Sequence, residues 1–303
     1  MELMNRRARP PRSLLVAAFA LLTLIWGTTW AAIRIGLEGI PPFTGVSVRF
    51  AIAAAAIAAY ARLRGIPITG DRRGRRLWAV TGGLAFCASY GVIYWGEQWV
   101  PSGLAAVLFA TYPLFVAVLA HFLLRNEPLG RGAVAGILLG LGGAAVIFSE
   151  DLSRLGGPRV ALASAVVLLS PLASALSSVL VKRWGEGVHP VTLTAIPMAF
   201  TALVMGALAL AAERGRTLTL DASSVGALIY LAIVGTSVTF LLYYWLLSHA
   251  RATRVALMAY LIPVTAVGIG ITFLDEPLTG RILAGSALVI AGVALAVHSP
   301  HRP

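Results

Sequence analysis

Asn126-Glu127-Pro128-Leu129-Gly130-Arg131, in the first half of the chain, returns in the second half as Asp275-Glu276-Pro277-Leu278-Thr279-Gly280-Arg281. A hydrophobic stretch with a proline at its middle, Pro113 or Pro263, precedes each copy, and a glycine-bearing stretch follows it, Gly136, Gly140 and Gly143 against Gly285 and Gly292. Further upstream, Tyr94-Trp95 answers Tyr244-Trp245, and Gly39-Ile40-Pro41-Pro42 answers Gly187-Val188-His189-Pro190. A spacing of about 150 residues held across most of the chain means duplication. Repeated sets of hydrophobic spans are a common construction among membrane carriers.

Hydrophobic residues make up 58% of the 303 positions and charged residues 12%. Soluble chains carry roughly 25% charged residues, and the mean hydropathy here is +0.86. Ten apolar stretches cover about two thirds of the chain: 14–35, 43–61, 77–99, 103–124, 132–149, 160–181, 191–212, 225–247, 254–274 and 282–298. Each is near the roughly 20 residues a helix needs to cross the hydrocarbon. The longest remaining segment, about 62–76, is too short to hold a core of its own. The expected fold is therefore an all-α integral membrane protein of ten transmembrane helices. It divides into a tail (1–13), a first five-helix repeat (14–149), a linker (150–159), a second five-helix repeat (160–298) and a C-terminal tail (299–303). Five is odd, so the second repeat enters the membrane inverted. The first Glu-Pro loop then lies on the cytoplasmic side and the second outside, with a solute site expected between the halves near the midplane.

The net charge of +12 would suggest nucleic acid in a soluble protein, but its placement argues for topology instead. With the N-terminus inside, the cytoplasmic tails and loops hold 17 of the 24 Lys and Arg residues, the outer side holds 6, and Arg49 lies within a span. That asymmetry follows the positive-inside rule with both termini cytoplasmic. It fits a multi-pass protein of the inner (plasma) membrane whose partners are the bilayer and a small-molecule substrate, with no nucleic acid. The arginines of 62–76 suit topology first and anionic lipid contact second. Arg6-Arg7 before an apolar run resembles a targeting signal, but the run is long enough to be a retained first helix. Cys87 is the only cysteine, which excludes an internal disulfide. The five histidines show no metal-ligand spacing, and no phosphate loop or nucleophile motif is present. No enzyme, metal or cofactor is expected, and a monomer suffices for a complete pathway.

Polar and aromatic residues inside spans are the candidate solute contacts. Trp26-Gly27-Thr28-Thr29-Trp30 sets Trp26 and Trp30 on one helix face, with Thr29 beside them; the motif suits either a cavity wall or close helix packing. Tyr90, Tyr94 and Glu97 fall at i, i+4 and i+7, a stripe that fits a cavity wall or an interfacial tyrosine band. Glu97, near the outer end, also reads as an ordinary surface charge. Tyr244 is the counterpart of Tyr94, four residues before Ser248 and seven after Ser237. Tyr112 beside Pro113, Tyr260 in the turn before Pro263, and Ser178 complete the candidate set. Pro113 and Pro263 are candidate hinges, since each removes an N–H and frees carbonyls one turn earlier; Pro171 and Pro197 are read as further kinks. Arg49 lies about six residues inside the second span, roughly 9–10 Å deep at 1.5 Å per residue. Its guanidinium matches a carboxylate bidentately, which suits an amino-acid-like solute; the alternatives are pairing with Glu97 or Glu38, or snorkelling.

The chain resembles the EamA-type family of the drug/metabolite transporter superfamily. The resemblance rests on Trp26-Gly27-Thr28-Thr29, the Arg49-Phe50 pair, both Glu-Pro loops with their following glycines, and the five-plus-five layout, over roughly 14–298. In the second half Ser174, Ser177 and Ser178 stand where the tryptophan-glycine element would be. The resemblance implies export of amino acids or related metabolites. No span centre carries Asp or Glu, and a buried carboxylate is the usual proton relay, so a facilitator or exchanger without such a group is expected. A flippase for a lipid-linked intermediate is the alternative.

Overall fold

The structure is a computed structural model and describes residues 10–68, 70–100, 105, 108–124, 127, 130–152, 158–262, 264, 265 and 280–298. The regular elements among them are helical: α1 (Arg12–Gly39), α2 (Pro42–Leu63), α3 (Arg72–Val80), π1 (Thr81–Ala88), α4 (Ser89–Gly96), α5 (Tyr112–Leu123), α6 (Arg131–Leu152), α7 (Pro158–Val167), α8 (Leu169–Trp184), α9 (Ala195–Ala212), α10 (Ala222–Ala232), π2 (Ile233–Val238), α11 (Thr239–His249), α12 (Ala252–Ala256) and α13 (Gly280–His298). Six runs are long and apolar enough to span a bilayer: Arg12–Gly39, Pro42–Leu63, Arg72–Gly96, Leu162–Trp184, Ala195–Ala212 and Ala222–His249. Shorter apolar helices run over Tyr112–Leu123, Arg131–Gly143, Ala252–Ile262 and Leu283–Gly292. The outward face is apolar, with Leu63, Phe122, Leu203 and Leu210 all more than 70% exposed. Such a surface is a liability in water and at home in lipid.

Proline starts helices here more than it bends them. Pro42 opens α2, Pro113 is the second residue of α5, and Pro171 and Pro197 are the third residues of α8 and α9. At these positions the missing N–H has no intrahelical partner to lose. The expected kink at Pro197 is accordingly a first-turn position, whereas Pro171 lies inside the Leu162–Trp184 run, which is interrupted by a turn at Leu168, one turn before the proline. At Pro113 the chain makes a turn at Ala110-Thr111 before α5 begins. Pro263 and residues 275–279 of the second Glu-Pro motif lie outside the described residues.

Two elements share one design about 150 residues apart. Asp71 caps α3 by accepting from Gly74 N at 2.7 Å, and Asp221 caps α10 by accepting from Ser224 N at 2.8 Å. Hydrogen bonds from Ser223 and Ser224 hold the Asp221 carboxyl below the usual carboxylate range. Each helix then passes through a π segment, π1 or π2, before resuming as α4 or α11. In π2 the hydroxyls of Thr236 and Ser237 donate to the carbonyls five residues back, Leu231 at 2.7 Å and Ala232 at 2.8 Å. These bonds occupy carbonyls that the wider turn releases.

Helices α6 and α13 cross at glycines. A Cβ on Gly143 would stand 2.6 Å from Gly285 O, and one on Gly292 would stand 2.6 Å from Gly136 O. The two contacts exchange places under a shift of 149 residues (143 to 292, 136 to 285). Only small residues permit such an approach. Helices α2 and α9 are also antiparallel, with Ser47 Oγ donating to Ala202 O at 2.8 Å.

Two buried carboxylates tie separated parts of the chain by one geometry. Glu213 accepts from Phe43 N at 2.7 Å, Thr44 N at 2.9 Å and Thr44 Oγ1 at 2.7 Å, at the start of α2. Glu127, the glutamate of the first Glu-Pro motif, accepts from Ala252 N at 2.9 Å, Thr253 N at 3.0 Å and Thr253 Oγ1 at 2.8 Å, at the start of α12. Both satisfy orphan N–H groups of a helix terminus and sit at its positive end. Lys182 Nζ donates to Leu247 O and Ala250 O at 2.8 and 2.7 Å, so the turn between α11 and α12 is held from both sides. A hydrogen bond to a charged group contributes about 1.5–3 kcal/mol. Glu127→Gln, which turns one oxygen into a donor facing N–H groups, is expected to destabilise the protein by about 2 kcal/mol. Thermal unfolding in detergent would show it as a fall of several degrees; an unchanged midpoint would mean the tie contributes nothing.

Candidate functional site

Helices α1, α2, α4, α5, α8, α11 and the Ala252–Ile262 helix enclose a cavity whose walls are rich in aromatic residues. Trp26, Thr29 and Trp30 of α1 line one side. Trp26 packs on Phe240 and Tyr243 at ring-centroid distances of 5.7 and 5.5 Å, and Trp30 meets Phe109 edge-on at 5.9 Å. The indole Nε1 of Trp26 is buried with no hydrogen-bond partner among the described residues. Gly27, between the tryptophans, lets α1 approach Thr265 and Ile262, since a Cβ there would stand 2.5 Å from Thr265 Oγ1. The motif therefore does both things its sequence suggests.

Arg49 is the only charged residue lining the cavity among the described residues, and it is 1% exposed. Its Nε donates to Thr236 Oγ1 at 2.7 Å, Nη1 to Tyr94 Oη at 3.0 Å and Nη2 to Gly235 O at 3.3 Å. Two of the three acceptors belong to π2, so the irregular turn supplies what the buried cation needs. The guanidinium carbon stands 4.9 Å above the Tyr90 ring, a cation–π geometry. All these partners are neutral, and three of the guanidinium's five N–H groups are used.

A hydroxyl cluster lines the same cavity. Tyr112 Oη lies 2.9 Å from Ser178 Oγ and 2.8 Å from Tyr243 Oη, and Tyr243 Oη lies 2.8 Å from Ser178 Oγ. Beside it, Ser89 Oγ is 2.7 Å from Ser170 Oγ and accepts from Ser174 Oγ at 2.8 Å.

Of the residues read from the sequence, Trp26, Thr29, Trp30, Arg49, Tyr90, Tyr112, Ser178 and Tyr244 all line this one cavity. Tyr94 stands behind Arg49 as its acceptor. Tyr260 turns away; its hydroxyl donates to Ile137 O at 2.9 Å and its ring covers Gly140. Glu97 borders a separate cleft at the end of α4 with Arg34, Glu38, Gln98 and Arg216. It is not a surface charge: its exposure is 0%. That corrects the expectation of a chain without a buried carboxylate. The burial comes from α2 and α7, which pack on this end of α4, and from Arg34 of α1, which donates to the Glu97 carbonyl. Nor does it hydrogen-bond Arg49 as the sequence allowed, since neither of its oxygens has a hydrogen-bond partner among the described residues. Tyr243, Ser89, Ser174, Phe109 and Phe240 line the cavity without having been singled out. The signal for Ser89, Ser174, Phe109 and Phe240 is ordinary hydrophobic or small-residue patterning, and Tyr243 stands next to Tyr244, the residue that the repeat matches to Tyr94.

A helical bundle with an apolar rim and an aromatic cavity holding one buried cation suits a membrane carrier of small solutes. The family model of the EamA-like transporter family matches the chain twice, over residues 13–149 and 161–298, and the chain belongs to that family. It is 25% identical over 272 residues to the uncharacterized transporter YoaV of Bacillus subtilis, covering 90% of this chain and 92% of that one. It is 32% identical over 261 residues to the uncharacterized inner membrane transporter YedA of Escherichia coli, with coverages of 84% and 81%. A probable amino-acid metabolite efflux pump of Salmonella typhimurium is 27% identical over 288 residues, with coverages of 91% and 92%. A protein of known crystal structure superposes with a TM-score of 0.82 at 19% identity, over 94% of this chain and 97% of that one, which shows a shared fold. The protein is a multi-pass membrane transporter.

Proposed function

We propose that this transporter exports amino acids or related small metabolites by alternating access, its solute carboxylate received by Arg49 in the aromatic cavity. The observation that carries the reading is a fully buried guanidinium at a cavity wall whose protein partners are all neutral. A buried cation of this kind is the natural partner of an anion brought by the solute. The rings of Trp26, Trp30, Tyr90 and Tyr244 would hold the apolar part of the solute, with Ser178 and Tyr112 orienting its polar groups. The name of the Salmonella relative points the same way.

The carrier is proposed to work as ten spans in two inverted five-helix repeats, residues 14–149 and 160–298, as a monomer with both termini in the cytoplasm. The reciprocal glycine contacts of α6 and α13 and the paired Asp-capped, π-interrupted helices support two-fold pseudosymmetry. The arginine asymmetry of the loops supports the orientation. Pro113 and Pro263 are proposed hinges.

Counterflow in proteoliposomes tests the function. Vesicles preloaded with unlabelled amino acids are offered labelled ones singly, and at least one is expected to accumulate transiently well above protein-free vesicles. Absence of counterflow for every amino acid would turn attention to the lipid-linked intermediate, assayed as movement of a labelled lipid between leaflets.

A further inference from the structure

Among the described residues, Glu97 is a buried ionisable group that the solute pathway leaves unexplained. It follows α4 directly, is 0% exposed, and neither carboxylate oxygen has a hydrogen-bond partner among the described residues. Buried polar groups are normally satisfied, so this one calls for an account. The charged and titratable groups around it can be named element by element. From α1, Arg34 donates to the Glu97 carbonyl at 3.3 Å and also acts electrostatically on its carboxylate. From α2, Arg49 acts on the same carboxylate from the cavity side. From α4, Tyr94 is bonded to Arg49 and interacts electrostatically with Glu97. Glu38 and Arg216 share the cleft that Glu97 borders, and α7 packs against this end of α4 through the apolar Ala163 and Val167.

We infer that Glu97 is a proton-binding site of the carrier, linked to Arg49 so that a proton and a solute carboxylate bind together. The inference rests on the carboxylate reading of Arg49. An ionised Glu97 partly neutralises the guanidinium and competes with an incoming anion. A proton taken from water in that cleft forms the O–H bond of the neutral acid and ends that competition. By reciprocity, an anion on Arg49 favours protonation of Glu97 by the same factor. The sign of the linkage is therefore co-transport: proton and carboxylate enter one cycle on the same side and leave on the other.

The test uses proteoliposomes filled with the pH dye pyranine, clamped with potassium and valinomycin, and offered a mixture of the twenty L-amino acids while labelled solute is counted in parallel. Wild-type protein is expected to acidify the lumen in proportion to the solute taken up. In Glu97→Gln the ratio of protons to solute is expected to fall at least tenfold, whatever exchange rate remains, and Glu97→Asp to restore part of it. Solute exchange by the wild type without proton movement would overturn the inference while leaving the carrier intact, and so would an unchanged ratio in Glu97→Gln. Absence of amino-acid exchange by the wild type at every pH would remove the carboxylate reading and this inference together.

Discussion

Arg49→Lys is expected to reduce amino-acid counterflow about 10- to 100-fold while leaving the protein folded. Lysine keeps the charge and much of the apolar stem but offers a point donor where the guanidinium offers a fork. It cannot reach Thr236, Tyr94 and Gly235 together while presenting two parallel N–H groups to a carboxylate. Each charge-assisted bond lost contributes about 1.5–3 kcal/mol, and every 1.4 kcal/mol is roughly a factor of ten in affinity. A purely structural arginine makes a different forecast: thermal stability and transport would fall together, and discrimination among solutes would not change. The distinguishing measurement is competition of labelled solute by free amino acids against their methyl esters or amides. Wild-type protein is expected to prefer the free acid by at least tenfold, and Arg49→Lys to lose most of that preference. A preference kept intact in the variant would retire the clamp.

Gly292→Val is expected to be among the most damaging single substitutions in the chain. A Cβ at this position meets Gly136 O and Gly140 N, both at 2.6 Å. These are backbone atoms of the facing helix and cannot swing aside as a side-chain tip can. Helix propensity works in the opposite direction, since replacing an interior glycine relieves roughly 0.5–1 kcal/mol of backbone cost. The collision wins, because separating α6 from α13 loosens their whole interface, and overpacking of this kind costs on the order of 1–3 kcal/mol or more. Gly143→Val should behave alike, against Gly285 O and Val289 N. Gly142→Ala is the control: nothing stands within 4 Å of its Cβ position, so it should be neutral or mildly stabilising. Melting midpoints in detergent, with the fraction recovered as a monodisperse peak, would decide; equal behaviour of the Gly292 and Gly142 variants would contradict the crossing.

The repeat and the apolar composition made the membrane class and the family legible, because a two-fold sequence echo and runs of about twenty apolar residues are long-range signals that survive local irregularity. Arg49 stood out for the same reason: a charge inside an apolar run has few places to go. Other parts were hidden by short-range physics. The stripe through Tyr90, Tyr94 and Glu97 follows 3.6-residue spacing, yet its members face three different surroundings: the cavity, the buried guanidinium and the cleft at the end of α4. In the second half, counting back from Tyr244 to Ser237 crosses π2, where the hydroxyls bond five residues back. Face arithmetic slips by one position there for Ser237, while within α11 itself both Tyr243 and Tyr244 reach the cavity wall. Glu97 looked exposed because depth was counted along its own helix, whereas its burial comes from α2 and α7 and from Arg34 of α1. The Glu127 tie was likewise invisible, since a carboxylate and a helix start 125 residues later carry no shared pattern.

Two copies of one ancestral unit face the same cavity, but only one of them brings an arginine. The shift that maps the first half onto the second carries Arg49 to the neighbourhood of Pro197 and Met198, and Met198 is fully buried and apolar. Two identical subunits related by a dyad would each have to carry the cation, and the like charges would repel across the midline. Covalent fusion removes that obligation: one half keeps the charge, and the other is free to evolve its acceptors, Thr236 and Gly235. The unit so divided holds a single buried cation at its cavity wall among the described residues, and its two halves can no longer be exchanged for one another.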